Sequence, residues 1–243
     1  MAQPRGQSYA YEATVRSWRL SYHIFHLLTH FGDSALLIPL SLAAIGILLW
    51  SDHRATALRF ATTVAVVMAA TVILKVGFYS VGGDTYLNVL SPSGHAGFSV
   101  TVYGCVAAVL AKQLRIAGAT IVVAATTILL ATVLESRIVI HAHTPEEVVM
   151  GSVLGFVCVA AFVVSNSDMK RLRIRLSLPA VIALVIGSLA VWQEGRRFNT
   201  ERRIEEVGVL VGSSLGTLSP FRPTIHGPHS PSESATPAGE NPI

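Results

Sequence analysis

Long stretches of this chain carry almost no charge, and its polar residues collect between them. Apolar runs occupy about residues 34–50, 57–74, 95–111, 116–134, 146–164 and 176–193, each close to the roughly 17 to 25 residues that an α-helix needs to cross a bilayer. The pattern predicts an all-α, polytopic membrane protein with about six transmembrane helices. Ahead of the first run, Arg16, Arg19, His23, His26 and His30 recur at spacings of three and four, while Trp18, Leu20, Phe25, Leu27, Leu28 and Phe31 fill the other faces. That spacing predicts an amphipathic helix over 16–31 lying in the membrane interface, ended by Gly32-Asp33-Ser34.

The same pattern divides the rest of the chain. Residues 1–15 form a polar N-terminus, 32–193 one transmembrane domain, and 194–243 a tail. Within the tail, 194–212 has the spacing of a short amphipathic helix, and beyond about 213 the chain is rich in Pro, Ser and Gly and is expected to be disordered.

Composition agrees: 51% hydrophobic and 13% charged residues with a mean hydropathy of +0.56 exclude an ordinary soluble domain. The net charge of +4 comes with no basic patch interleaved with aromatics, so it reads as membrane topology and not as nucleic-acid binding. Cys105 and Cys158 both fall inside apolar runs, where packing is their expected role. Gly151 and Gly155 make a small-xxx-small face for close helix contact. His23, His26 and His30 read as a solvated stripe, because no carboxylate or cysteine joins them at metal-ligand spacing.

Alternating spans place the second-to-third connection on the same side as the fourth-to-fifth. The opposite side carries Arg54, Arg59, Lys112, Arg115, Lys170, Arg171, Arg173 and Arg175 in short connections, which by the positive-inside rule faces the active side outward. An even span count also puts both Arg-bearing termini on the active side, so this orientation weights the connections between spans above the ends. For a bacterial inner membrane it predicts a site facing the periplasm.

On that active side stand Lys75, Ser93, Gly94, His95, Arg137, His141, His143 and Glu147. Ser91-Pro92 reads as an N-cap and first-turn proline, and the amides at such a helix start form an anion site that Gly94 lets a ligand approach closely. Thr144-Pro145-Glu146-Glu147 reads as a second start with a capping box. Taken singly these are ordinary helix starts, and Lys75 is as readily a lysine snorkelling at a span end. Together, cations, backbone donors and histidines suit a phosphate monoester or pyrophosphate. One histidine attacks phosphorus, another protonates the leaving oxygen, and a carboxylate holds the attacking imidazole in one tautomer. The arrangement calls for no metal and no cofactor, and no carboxylate cluster of the kind that holds magnesium is visible.

Lys75, then Ser91-Pro92-Ser93-Gly94-His95, then Ser136-Arg137 with five residues before His143, resemble the three signature motifs of the type 2 phosphatidic acid phosphatase superfamily, in its bacterial membrane-bound branch. The resemblance covers about residues 20–190. It implies His143 as the nucleophile that forms a phosphohistidine, His95 as the acid for the leaving group, and Lys75, Ser93, Gly94 and Arg137 as the phosphate cradle. It implies a lipid phosphate substrate, among them phosphatidic acid, phosphatidylglycerol phosphate, a polyprenyl diphosphate or a lipid A phosphate. Its expected partners are that substrate and the membrane lipids.

Two departures stand out. The superfamily's first motif ends in Arg-Pro, where this chain has Gly82-Gly83, and its third ends in Asp, where this chain has Glu147. A catalytically silent membrane scaffold and a lipid phosphotransferase are the alternatives to a hydrolase. If Glu147 only caps a helix, glutamine replaces it freely; if it orients His143, Glu147→Gln is expected to keep stability and lose turnover about a hundredfold.

Overall fold

A computed structural model of the protein describes residues 25, 27–81, 89–167 and 200–215. Among these the fold is all-α. A 3₁₀ turn (His30–Gly32) leads into α1 (Ser34–Trp50), followed by α2 (Arg54–Val81), α3 (Gly94–Ala111), α4 (Ile116–Val139), α5 (Pro145–Ser165) and α6 (Thr200–Leu215). Among the described residues, α2 to α5 are each long and apolar enough to cross a membrane, and α1 is a shorter apolar helix. The sixth expected span, most of the interfacial helix over 16–31 and the tail beyond residue 215 lie outside the described residues.

Helix ends fall where local chemistry places them. Asp33, in extended backbone, caps α1 by accepting the Ala35 N–H at 3.1 Å, so the break expected at Gly32-Asp33-Ser34 is present. Thr144 caps α5 with Pro145 in the first turn and the full capping box. Two expectations need correction. The cap of α3 is Ser93 and not Ser91: Ser93 Oγ accepts the Ala96 N–H at 3.4 Å, and the helix begins at Gly94. Ser91 is held off the helix by Glu147 and Tyr79, contacts that a local cap rule does not see. The second span does not end at Lys75 either, since α2 runs on to Val81. A lysine in mid-helix costs little in propensity, and Lys75 is buried against the start of α3.

Successive helices alternate, so α1, α3 and α5 begin, and α2 and α4 finish, at one end of the bundle. The central helix is α3, 56% of whose spanning window is buried, against 11% for α4. It packs on α5 and α4, while α6 lies along α2. The α3–α5 crossing is backbone to backbone. A Cβ on Gly151 would stand 2.2 Å from the Ser93 carbonyl oxygen, and one on Gly155 2.7 Å from that of Gly97, so only glycine permits this approach and the expected small-residue face is used.

Beyond that contact the core is apolar. Phe60 meets Phe162 edge to face at 5.9 Å, and Cys105 and Cys158 are free and buried among the surrounding side chains. Outward-facing residues such as Ile121 and Ile128 are exposed, as a lipid-facing surface requires. At the far end Asn166 ties three helices together. Its side chain donates to Phe162 O at 2.7 Å and accepts from Arg59 Nη1 at 3.2 Å, and its carbonyl accepts from Lys112 Nζ.

Candidate active site

The polar residues of the active side meet at the end of the bundle where α3 and α5 begin. Crossing at Gly97, Gly151 and Gly155 brings the two N-termini side by side, and the Ser93 N–H donates to the Glu147 carbonyl at 3.0 Å. Both positive helix ends therefore point into one region.

Glu147 is the hub. Its side chain is 7% exposed. Oε1 accepts the N–H groups of Leu90 at 2.8 Å and Ser91 at 3.0 Å, while Oε2 accepts from His143 Nδ1 at 2.6 Å and from the Thr144 N–H at 3.3 Å. The same carboxylate thus completes the helix cap and contacts the His143 ring, so the geometry is compatible with both readings of Glu147. An ionised carboxylate accepts and does not donate, so Nδ1 carries a proton, and in the neutral ring that leaves the lone pair on Nε2. With a side chain 8% exposed, the ring is held in one orientation.

The route from α4 to His143 is built by backbone. His141, at φ 55°, turns the chain through the left-handed region, which histidine tolerates better than most side chains. The Arg137 carbonyl then accepts the N–H groups of Ala142 at 3.0 Å and His143 at 3.3 Å. That explains the five-residue spacing: Arg137 and His143 are the two sides of one tight turn. His141 itself is exposed, and its backbone shape is its visible contribution. The Arg137 guanidinium donates to Thr29 Oγ1 at 2.9 Å, which ties the segment before α1 to the end of α4.

Lys75 is 3% exposed and lies against the first turn of α3, its Cε 3.6 Å from where a Gly94 Cβ would be. A lysine buried on the start of its neighbour is not a snorkelling one. Lys75, Gly94 and His95 line one side of a cleft of about 170 Å³, with Gly32 and Ser34 beside them. Arg137, His143 and Glu147 are joined to this group through Ser93 and the α5 cap and do not line the cleft themselves. Ser93 spends its hydroxyl on the α3 cap and its N–H on Glu147, so it shapes the helix end.

Sequence reasoning missed several supporting groups. The Leu90 and Ser91 amides, Thr29 and Tyr79 all hold site residues or their neighbours; Tyr79 is buried and accepts from Ser91 Oγ at 3.2 Å. Backbone donors leave no trace in side-chain patterns, and Thr29 is 108 positions from its partner. Gly82 and Gly83 lie outside the described residues.

Residues 24–171, more than half of the chain, match the model of the PAP2 superfamily. The chain belongs to that superfamily. The match contains every one of these site residues and ends before α6. The chain is also similar to an uncharacterized 22.5 kDa protein in the cps region of Klebsiella pneumoniae, 27% identical over 191 residues that cover 77% of this chain and 91% of the relative. No solved structure matches it. Members of the PAP2 superfamily are phosphatases, so membership supports hydrolysis of a phosphoric ester by an integral membrane protein.

Proposed function

We propose that the protein hydrolyses the phosphate ester or diphosphate of a lipid through a phosphohistidine, without a metal ion. The observation that carries this reading is the carboxylate of Glu147 at 2.6 Å from His143 Nδ1. It leaves Nε2 as the nucleophilic atom and stabilises the positive charge that builds on the ring as phosphorus is attacked. In the first step the Nε2–P bond forms, the bond from phosphorus to the leaving oxygen breaks, and His95 gives that oxygen a proton. In the second step water attacks phosphorus, the Nε2–P bond breaks, and His95 takes the proton back from the water. Lys75, Arg137 and the first-turn amides of α3 bear the charge of the non-bridging oxygens.

The lipid and the orientation belong to the proposal as well. A site at the end of a bundle of spanning helices meets a head group whose chains stay in the bilayer. Arg54, Arg59, Lys112 and Arg115 lie at the other end of the bundle, which supports a periplasmic site in a bacterial inner membrane.

Phosphate release from a panel of lipid phosphates by the purified protein tests the reading. Activity is expected to survive EDTA and to be blocked by vanadate. Loss on chelation with recovery on added magnesium overturns the metal-free mechanism, and no release from any member of the panel leaves a scaffold.

A further inference from the structure

The cleft that holds Lys75, Gly94 and His95 has a second half of different chemistry. Its lining also takes in Met68 and Val72, two turns and one turn before Lys75 on α2 with Thr71 between them, Phe98, one turn after Gly94 on α3, and Ile204 of α6. Ile204 comes from a helix outside the superfamily match. That helix is seated closely: a Cβ on Gly208 would stand 2.5 Å from Tyr79 Cβ and 3.4 Å from the Val76 carbonyl oxygen. Gly208 and Gly212, at the four-residue spacing that continues from Ile204, are both buried. The register of α6 on α2 is therefore set by glycine contact, and with it the position of Ile204 in the wall.

One cleft that brings a buried cation and a helix start together with apolar side chains further along the same helices matches an amphiphile with an anionic head. We infer that the apolar group next to the substrate phosphate passes along the wall made by α2, Phe98 and Ile204, and that α6 selects which apolar groups fit. The inference rests on the phosphatase reading and names a selecting residue within it. A chain already in the bilayer gains nothing from water exclusion here, so the wall acts through shape, favouring some chains over others and adding little to affinity for all of them. The selecting side chain sits beside the first carbons after phosphorus, where a straight acyl glycerol and a methyl-branched prenyl chain differ in width.

Two experiments test this. In the first, wild type, Ile204→Ala and Ile204→Trp are compared on dioleoyl phosphatidic acid, a polyprenyl diphosphate and the soluble ester p-nitrophenyl phosphate. The ratio of kcat/KM between the two lipids is expected to shift by about three- to tenfold, in opposite directions for the two variants, as for a changed methylene or two in a pocket. Turnover of p-nitrophenyl phosphate, which carries a ring but no chain along the wall, is expected to change less than turnover of either lipid. Equal loss on all three substrates overturns the inference and makes α6 a structural brace; an unchanged lipid ratio overturns it too.

The second experiment needs no turnover. An alkyl phosphonate with a photoactivated diazirine on its second carbon is expected to label the peptides of Met68, Val72 or Ile204, with inorganic phosphate in excess competing. Labelling confined to the lipid-facing surface of α4 overturns the tail path. Labelling of the wall by a protein that releases no phosphate keeps the path and rejects the hydrolase.

Discussion

Replacing Glu147 by glutamine turns one carboxylate oxygen into an amide nitrogen, and the cost of that change can be worked out from the donors around it. The carboxylate receives four: the Leu90 and Ser91 amides on Oε1, and His143 Nδ1 with the Thr144 amide on Oε2. Glutamine has a single acceptor oxygen, so one pair of donors must face its NH₂. With that NH₂ toward Leu90 and Ser91, two backbone N–H groups lose their acceptor in a buried site. With it toward His143, the Thr144 N–H loses its acceptor, and His143 relieves the conflict by moving its proton to Nε2. The second arrangement strands fewer donors and is the one expected. Its stability cost is about 1–3 kcal/mol for the unmet buried donor, read as a fall of roughly 2–10 °C in melting temperature. Its catalytic cost is larger, because a protonated Nε2 has no lone pair for phosphorus. A loss of about 10²–10⁴ in kcat is expected, from the usual worth of one positioned acid–base group up to the loss seen when a catalytic histidine is held in the wrong tautomer. The variant is therefore not neutral for stability, as the capping-box pattern by itself implies. Phosphate release measured at a temperature where both proteins are folded, beside thermal unfolding in the same detergent, separates the two costs. Turnover within about threefold of wild type, with a lowered melting temperature, refutes the orienting role and leaves Glu147 as a cap and loop anchor.

Other perturbations probe different parts of the same end of the bundle. Gly151→Ala puts a methyl 2.2 Å from the Ser93 carbonyl oxygen, so α3 and α5 must separate; a stability loss of about 1–3 kcal/mol and a fall in kcat are expected, and unchanged activity would show that the crossing does not set the site. Ser99 is fully buried with its hydroxyl unpartnered among the described residues. Ser99→Ala is expected to raise stability by about 1 kcal/mol, and a lowered melting temperature would reveal a partner for that hydroxyl.

Much of this protein was legible in its sequence, and the reason is local. Hydrocarbon has no partner for a bare peptide group, so any segment inside it must be helical, and a run of apolar residues predicts a span with no knowledge of its neighbours. Runs over 34–50, 95–111, 116–134 and 146–164 appear as α1, α3, α4 and α5 within a few residues, apart from a longer end on α4. Caps made within four residues, such as Thr144-Pro145-Glu146-Glu147, are equally visible, as is the glycine spacing of α5. Positions that depend on another helix are not. The cap at Ser93 in place of Ser91 and the burial of Tyr79 depend on other elements: Ser91 is held by Glu147, fifty-six positions on, and Tyr79 meets Ser91 and Gly208 of α6. Position 147 shows the division most clearly. Its place in a capping box is written in four consecutive residues, but its grip on Leu90 and Ser91 reaches across more than fifty positions. Only packing α3 against α5 at glycine distance brings those donors to it, and that contact is what lets one carboxylate cap a helix, bond a histidine and hold a distant loop at once.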